Sequence, residues 1–384
     1  MPRAPVPFGN ADARWYYVLL RGLVERGHRV TAFAACANRS EYGEARDLFH
    51  APRFDLRCYE YPRDAGLAGK FRSWLRPHSY MFGSDLKNDL RRVSQAGYDV
   101  LHLEQLWTGW LGLHAPDRAL LSIHYLSSID LSNAAKSQKE YRRERQLVLK
   151  TELSLISRFR HFRTLSKRLE EAVRAMNSTA DITTVPIGLD LSLYPYISDQ
   201  ARATTPVVSL IGTMDWYPTR SAAHRLITNL WPEIKRRVPN AQLQLVGWKA
   251  RETLSEYLTL PDVTILENVT NTEPFFAKTS VFVYAPERGT GMKIKVLEAL
   301  AFGIPVVTTT EGIEGLPDKA RQALEVCDSD DRLIESTVRL LNDPDAQNRQ
   351  RIAGRALVEE VCAPKPTLDG IEDIYARMLH SQTA

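Results

Sequence analysis

Apolar residues in the first half of the chain alternate between helical and strand-like patterns. Four of them recur at helical spacing between positions 16 and 23, Gly27 stands where that helix would end, and residues 30–34 form an apolar run. A further helix is predicted over 167–176. Short runs typical of buried strands occupy 98–106, 119–126 and 162–166.

The alternation begins again after a polar stretch, 197–206, which is predicted to be an interdomain linker. A strand is predicted over 207–212 and an amphipathic helix over 219–239. Further strands are predicted over 241–247, 263–267, 280–286 and 304–310, with the clearest helix over 293–302. This order predicts two doubly wound α/β domains in tandem, which bind ligands at the carboxyl ends of their strands.

Composition and cysteine spacing argue against several classes of protein and site. The 384 residues are 44% hydrophobic and 25% charged, and a net charge of +4 does not by itself indicate nucleic acid as a partner. No apolar run approaches the roughly 18 residues of a membrane-spanning helix, and no secretory signal is recognisable. The four cysteines are scattered without a CxxC pair, which favours reduced thiols over a zinc site or disulfides. We therefore expect a cytoplasmic protein.

A glycine-rich turn joins the predicted strand 280–286 to the predicted helix 293–302. Gly289 and Gly291 would let the backbone approach a diphosphate, because no Cβ stands in the way. The start of the helix presents free N–H groups and the positive end of its dipole to an anion. The turn is therefore a candidate phosphate site.

Charged residues accompany this turn. Lys293 and Lys295 add positive charge, and Glu298, one helical turn beyond Lys295, can face the same side and accept hydrogen bonds from ribose hydroxyl groups. The plain alternative is an ordinary turn with a surface Lys/Glu pair.

The longer string GTGMKIKVLEALAFGIPVVTTTEGIEGL, from Gly289 to Leu316, closely resembles the signature of family 4 glycosyltransferases, which have the GT-B fold. Other parts of the chain resemble that family in the right order, namely 6–33, 185–194 and 210–249. The resemblance implies two Rossmann-like, doubly wound domains facing a cleft. It implies an acceptor-binding domain over 1–195, a nucleotide-sugar-binding domain over 206–365, and a final helix, 366–384, that crosses back to the first domain.

The resemblance also implies a chemistry. It is the retaining transfer of a sugar from a nucleotide-diphosphate donor, with UDP-sugar favoured and no bound metal or other cofactor. Fixed cations and a helix N-terminus would then stabilise the leaving diphosphate. The resemblance assigns His124 and Lys295 to catalysis, and Glu298, Gly212 and Val269 to the nucleoside. It assigns to the donor phosphate and sugar Gly9, Asn10, Gly289, Thr290, Gly291, Met292 and Lys293.

Two departures from the family pattern put donor recognition in question. Many members carry a glutamate that contacts the donor sugar where this chain has Thr290, and Glu287 nearby is out of register. The usual Arg and Lys after the first strand of the donor domain are also absent from 213–214. Arg220 and Arg288 are candidate replacements for these phosphate-binding cations.

The first domain is expected to supply the acceptor side. His124 ends a predicted strand, where similar enzymes carry a histidine near the reacting sugar; a structural histidine is the alternative. His102 and Glu104 share one face of a strand and would either reach the cleft or pack in the core. Trp107 and Trp110 would form either a sugar platform or part of the core.

The acceptor is left open by the sequence, and a lipid-linked polysaccharide intermediate or glycolipid is our expectation. It rests on the charged helix predicted over 135–160, which would be a solvated face or would contact anionic lipid or a phosphorylated acceptor. Peripheral contact with the inner face of a membrane through 136–150 would follow. Its basic residues are Lys136, Lys139, Arg142, Arg143, Arg145 and Lys150.

Both ends of the chain have unusual features. The glycine loop at Gly9 follows MPRAPVPF, whose three prolines rule out a central strand, so the usual first strand is either absent or lost by truncation. Near the other end, residues 366–381 are predicted to form the crossing helix and, with the 195–206 linker, a hinge whose closure brings His124 toward the glycine loop. Its predicted apolar face comprises Leu368, Ile371, Ile374, Tyr375 and Leu379.

Three functions remain open from the sequence. The leading one is a glycosyltransferase. The second is another GT-B enzyme, such as a nucleotide-sugar 2-epimerase, which would need more acid/base carboxylates. The third is a non-catalytic nucleotide-sugar-binding partner protein, which the missing glutamate and first strand keep open.

Overall fold

The computed structural model of the protein describes residues 1–9, 11–36, 43–46, 52–62, 76–198, 205–269 and 271–383. Its strands are β1 (Val30–Cys36), β2 (Phe54–Glu60), β3 (Leu101–Glu104), β4 (Ala119–Ile123), β5 (His161–Thr164), β6 (Asp181–Thr184), β7 (Val207–Ile211), β8 (Gln242–Gly247), β9 (Val263–Glu267), β10 (Val281–Tyr284), β11 (Val306–Thr308) and β12 (Glu325–Val326). Its main helices are α1 (Ala11–Glu25), α2 (Ser84–Gln95), α3 (Lys139–Ile156), α4 (Lys167–Met176), α5 (Tyr217–Arg225), α6 (Trp231–Arg237), α7 (Ile294–Ala301), α8 (Asp330–Asn342), α9 (Pro344–Val361) and α10 (Pro364–Thr383). Shorter helices are Gly109–Gly112, Ser127–Asp130, Ala134–Ser137, Ala250–Thr253 and Glu273–Lys278.

The chain forms two compact units. Unit 1 contains Met1–Ser128, Ala134–Leu189 and Pro364–Ala384, and unit 2 contains Ile129–Asn133 and Asp190–Ala363. The predicted range of the first domain, 1–195, did not anticipate that 129–133 packs within the second unit. Most of the linker prediction, 199–204, lies outside the described residues.

In the part of unit 1 that the structure describes, parallel strands form two separate sheets. β1 pairs with β2, and a four-stranded sheet has the order β3-β4-β5-β6. The three predicted strands over 98–106, 119–126 and 162–166 are confirmed as β3, β4 and β5, and α4 begins where predicted, after Ser166. The Ser166 side chain accepts a hydrogen bond from the Leu169 N–H (3.2 Å), as an N-cap does. β2 and β6 were not predicted.

The proline-containing segment before α1 lies beside β1. Residues 1–8 contain no strand, but the Ala35 N–H donates to the Met1 carbonyl (3.0 Å). Ala4 and Val6 are buried in a small apolar cluster with Ala34 and Cys36 of β1. The segment therefore covers apolar surface of this strand without extending the sheet.

Helix α10 belongs to unit 1 and packs against α1. The Arg26 guanidinium forms ion pairs with Asp369 and Glu372, and His28 Nε2 lies 2.7 Å from Glu372 Oε1. Tyr375 donates to or accepts from His102 Nδ1 at 2.6 Å.

The apolar face of α10 differs from the prediction at one position. Leu379 is 38% exposed, and Met378 is buried in its place with Leu368, Ile371 and Ile374. A step of four residues beyond Ile374 keeps Met378 on the buried side, whereas Leu379 is rotated away from it.

Unit 2 contains one six-stranded parallel sheet in the order β12-β11-β10-β7-β8-β9. All five strands predicted for this half are confirmed as β7 to β11, and the predicted doubly wound α/β class is confirmed. β7 is buried at every residue, as expected of a central parallel strand covered on both faces. The chain runs outward from β7 to one side and from β10 to the other, so the strand order reverses between them. Ligands of doubly wound sheets bind at this switch point, beyond the carboxyl ends of the strands.

The single helix predicted over 219–239 is interrupted. A π-helical turn, Leu226–Leu230, separates α5 from α6, and the Trp231 N–H bonds to the Leu226 carbonyl five residues back. Pro232 explains the interruption, because it has no N–H to donate and its ring clashes with the carbonyl four residues earlier.

All four cysteines are free thiols, as predicted. Among the described residues, no helix combines the length and apolar character needed to cross a membrane.

Candidate active site

Two glycines bring the ends of β7 and β8 together in unit 2. The Gly212 N–H donates to the Val246 carbonyl (2.9 Å). A Cβ on Gly247 would lie only 1.8 Å from the Gly212 carbonyl oxygen, so a glycine is required there. The sequence predicted Gly212 as a nucleoside contact but gave no role to Gly247.

Lys295 projects from the first turn of α7 to the switch point. Its ammonium group lies 4.7 Å from the ring centre of Trp216 and 4.6 Å from that of Tyr284, a cation–π arrangement. A Cβ on Gly212 would lie 2.7 Å from Lys295 Cε, so the lysine passes directly beside the turn after β7. A cation held here can act on a charge that develops beyond the ends of β7 and β10. Trp216 was not predicted, since a tryptophan after a strand has no specific signature.

The glycine-rich loop after β10 donates three successive backbone N–H groups to carboxylates. Gly289 donates to Glu311 (3.1 Å), Thr290 to Asp130 (2.7 Å) and Gly291 to Glu314 (2.9 Å). The predicted phosphate contacts through these amides stay a prediction, and the protein's own acidic side chains accept from the amides in this structure.

Lys293 is buried within the same loop and donates to the Gly291 carbonyl (2.6 Å). Met292 beside it is also buried, at 7% exposure. Burial raises the pKa of Asp130 to about 6, although the positive charge of Lys293 and the bonds from Thr290 act in the opposite direction. The loop therefore encloses a carboxylate that is ionised at neutral pH but at some energetic cost.

The two candidate arginines occupy different surroundings. Arg288 Nη1 lies 3.2 Å from Glu311 Oε1, which directs it to the acidic side of the loop. The Arg220 guanidinium lies 5.7 Å from the ring centre of Tyr217, just after the turn at Trp216. Arg220 thus lies near the start of α5, which follows the turn after β7, and its phosphate role stays a prediction.

Glu298 lies one turn into α7 and is 8% exposed. Its Oε1 accepts a hydrogen bond from the Tyr194 hydroxyl (3.3 Å), which fixes the carboxylate within unit 2. Val269 follows β9 and is partly buried, directly after Asn268, whose φ of 57° marks a tight turn. These positions keep their predicted nucleoside roles as predictions.

Glu104 is the centre of a buried polar cluster in unit 1. Its carboxylate lies 2.6 Å from His124 Nε2 and 2.9 Å from His102 Nε2, and it accepts from Trp15 Nε1 at 3.0 Å. Burial alone would raise the pKa of Glu104, but His124 and His102 together hold it well below its ordinary value. The carboxylate thus stays ionised and orients both imidazole rings.

The surroundings of this cluster include residues that sequence reasoning missed. Arg163, fully buried, lies 3.5 Å from Glu104 and stacks over Trp15 at 4.7 Å. An arginine inside the apolar run of β5 was the available signal. Gln105, with a φ of 70°, donates to Asp12 (2.8 Å), whose other oxygen is 4.0 Å from His124 Nδ1. Strained backbone next to a polar cluster is typical of functional sites.

Four other residues of the first domain were predicted to reach the cleft, namely Gly9, Asn10, Trp107 and Trp110. Gly9 has a φ of 78°, which suits a glycine in the turn before α1, while Asn10 lies outside the described residues. Trp107 is 2% exposed, which favours the core over a sugar platform, and Trp110 donates to the Pro77 carbonyl (3.1 Å).

Two family models match the chain in succession. Residues 15–188 match the model described as glycosyl transferase 4-like domain, and residues 205–343 match the model described as glycosyl transferases group 1. The first range contains the Glu104–His124 cluster, and the second contains the switch point and the glycine loop. The chain belongs to the family 4-like glycosyltransferases of the GT-B fold. No curated protein sequence matches it.

Solved structures agree with this glycosyltransferase fold. The sucrose-phosphate synthase of Thermosynechococcus elongatus is 16% identical, with 97% of this chain and 94% of that one covered and a TM-score of 0.73. HepE of Anabaena, solved with UDP and glucose, is 13% identical, with 97% of each chain covered and a TM-score of 0.67. WaaG, a glycosyltransferase of lipopolysaccharide biosynthesis, is 14% identical, with 96% and 97% covered and a TM-score of 0.65. At such identities the glycosyltransferase shares a fold with these proteins, and its substrates have to be argued from its own residues.

Proposed function

We propose that the protein is a retaining glycosyltransferase that moves a sugar from a UDP-sugar to a polysaccharide or glycolipid acceptor. The observation that carries the proposal is the position of Lys295, held between the rings of Trp216 and Tyr284 beside Gly212. This is the switch point of the sheet in unit 2, where a doubly wound domain binds its ligand. A diphosphate there would meet a fixed cation and the N-terminus of α7.

Catalysis in this proposal depends on stabilising the leaving group. As the bond between the anomeric carbon and the phosphate oxygen breaks, the electron pair goes to the diphosphate. The acceptor hydroxyl oxygen bonds to the same carbon from the same face, and its proton passes to the departing phosphate oxygen. Lys295 and Arg220 offset the growing negative charge, so neither a metal ion nor a cofactor is needed. A preorganised donor of this kind typically contributes about 10²–10³ in kcat.

His124 is proposed as the catalytic residue of unit 1. It follows β4 directly, and Glu104 fixes its ring at 2.6 Å. An imidazole oriented by a carboxylate is suited to contact a sugar hydroxyl group close to the reacting carbon.

The substrates are proposed from chemistry and from similar proteins. HepE, solved with UDP and glucose, supports UDP-sugar as donor, and WaaG, of lipopolysaccharide biosynthesis, supports a cell-surface acceptor. In 136–150, Lys136, Lys139, Arg142, Arg143 and Lys150 are exposed. These cations suit peripheral contact of a cytoplasmic enzyme with anionic lipid.

A donor panel tests the proposal. Purified protein is incubated with UDP-, GDP- and dTDP-sugars, with and without EDTA, and products are followed by mass spectrometry. Transfer or slow hydrolysis of a UDP-sugar that persists in EDTA is the expected result. Exchange of the C2 configuration would indicate the 2-epimerase, binding without turnover would indicate a partner protein, and an absolute need for Mg²⁺ or Mn²⁺ would contradict the metal-independent mechanism.

A further inference from the structure

The loop Gly289–Gly291 is chemically different from a phosphate cradle. Each of its three N–H groups donates to a carboxylate, from Glu311, Asp130 and Glu314 in turn. Phosphate oxygens only accept hydrogen bonds and carry negative charge, so three carboxylates oppose their approach. A group with O–H donors, such as a sugar, can instead donate hydrogen bonds to carboxylates.

Asp130 is the most deeply buried of these carboxylates, at 2% exposure. Its Oδ1 accepts two hydrogen bonds from Thr290, one from the backbone N–H and one from the hydroxyl, both 2.7 Å. Its Oδ2 is buried and has no hydrogen-bond partner among the described residues. A buried carboxylate oxygen without a donor is costly, so a ligand that supplies an O–H group would relieve it.

The segment that carries Asp130 is held in place at a second point. Asn133 Nδ2 donates to the Glu287 carbonyl (3.2 Å), at the other end of the loop, so residues 129–133 and 287–290 are joined twice within unit 2. These two contacts hold residues 129–133 against the loop, so the buried Asp130 carboxylate has a fixed position, unlike that of an exposed side chain. It also lies outside the sequence motif, 160 residues before Thr290.

We propose that Asp130 determines donor specificity by accepting, through Oδ2, a hydrogen bond from a hydroxyl group of the transferred sugar. Thr290 orients the carboxylate by occupying its Oδ1, and the diphosphate lies instead toward Lys295 at the turn after β7. This inference rests on the proposed function, since it assigns one part of the nucleotide-sugar site.

The test compares Asp130→Asn with wild type in the donor that wild type accepts. Asparagine keeps an oxygen for Thr290 but places an NH2 group, which cannot accept, where Oδ2 was. We expect the Kd for UDP to stay within about twofold and the Kd for the intact UDP-sugar to rise roughly 10- to 100-fold, as for loss of a hydrogen bond to a charged group. Asp318→Asn, the same substitution at an exposed position of unit 2, serves as the matched control and should leave both Kd values near wild type.

Deoxy donors identify the hydroxyl group. A UDP-sugar that lacks the group bound by Asp130 should bind wild type and Asp130→Asn equally, while donors that lack other hydroxyl groups should preserve the difference. Equal weakening of UDP and UDP-sugar, or a difference that no deoxy donor abolishes, would overturn the assignment and leave Asp130 as a structural support of the loop. If wild type binds UDP but no UDP-sugar, the proposed function fails and this inference fails with it.

Discussion

His124 and Glu104 form a buried pair in which Nε2 and Oε2 are 2.6 Å apart. Glu104 is the last residue of β3, and His124 directly follows β4, the strand paired with it. Both therefore lie at the carboxyl ends of neighbouring parallel strands. The hydrogen bond at Nε2 fixes the orientation of the imidazole ring and leaves Nδ1 on the side of Asp12, whose Oδ1 is 4.0 Å away. The contribution of this pair to catalysis can be tested at His124, and its contribution to stability can be tested at Glu104.

Replacing His124 with Gln should impair transfer without affecting nucleotide binding. We expect kcat to fall by about 10²-fold or more, the range for losing a positioned catalytic group. The Kd for UDP should be unchanged, because His124 is not among the residues that we predict to bind the nucleotide. His114→Gln, which alters only a contact with the Leu111 carbonyl (3.0 Å), is the control. Full kcat in His124→Gln would remove it from the catalytic residues.

Glu104 should make the free energy of unfolding depend on pH in the acidic range. Its folded-state pKa lies below the ordinary value of 4.5, so the stabilisation is complete above that pH and is lost as pH falls further. Glu104→Gln should lose about 3–5 kcal/mol at pH 7, as when a buried pair loses one partner, and should show a flatter dependence below pH 4.5. Glu25→Gln, at an exposed pair with Arg21, is the control. Denaturant titrations at several pH values measure the free energy of unfolding. The same pH dependence in wild type and Glu104→Gln would contradict this prediction.

Glu298→Ala should weaken nucleotide binding by roughly 1–3 kcal/mol, the range for hydrogen bonds to a charged group. Tyr194→Phe separates this role from a structural one, because it removes only the hydroxyl that donates to Glu298. Calorimetry with UDP is expected to show a large loss for Glu298→Ala and a small one for Tyr194→Phe. Equal losses would mean that the carboxylate merely holds the tyrosine.

Lys295→Ala should lower kcat by about 10²–10³-fold, because a fixed cation near the leaving diphosphate is lost. Lys295→Arg keeps the charge and the ring contacts but has a different shape, so it should recover part of the rate. Lys278→Ala, at an exposed position in the same unit, is the control. Single-turnover rates at saturating donor would distinguish this from weaker binding, and an unchanged rate in Lys295→Ala would refute its role.

The buried face of α10 should contribute strongly to the stability of unit 1. Ile371 is fully buried, so Ile371→Ala should cost about 2–5 kcal/mol. Leu379→Ala, eight residues later on the same helix but 38% exposed, should change stability by less than about 0.5 kcal/mol. Denaturant unfolding measures both, and similar effects of the two changes would contradict the observed packing of α10.

Local patterns in the sequence determined much of the fold. Runs that are almost entirely apolar placed β7, β10 and β11, which are buried at every residue, because strands buried on both faces need apolar side chains. The glycine-rich motif after β10 and the helix that follows it were also local features, and they indicated the family. Gly212, Lys295 and Glu298 could be selected because each lies in or beside such a pattern.

Tertiary structure alone decided which side chains meet. Asp130 and Thr290 are 160 residues apart, and nothing local in the sequence brings 129–133 into unit 2. The acidic partners of the loop amides, the position of Lys295 between Trp216 and Tyr284, and the Glu104 cluster all depend on contacts distant in the chain. Tertiary packing also explains why Leu379 is exposed, whereas the π-helical turn at Leu226–Leu230 depends on Pro232, a local feature that helical periodicity does not register. Periodicity gives an average helical face, whereas packing and a single proline decide its rotation residue by residue.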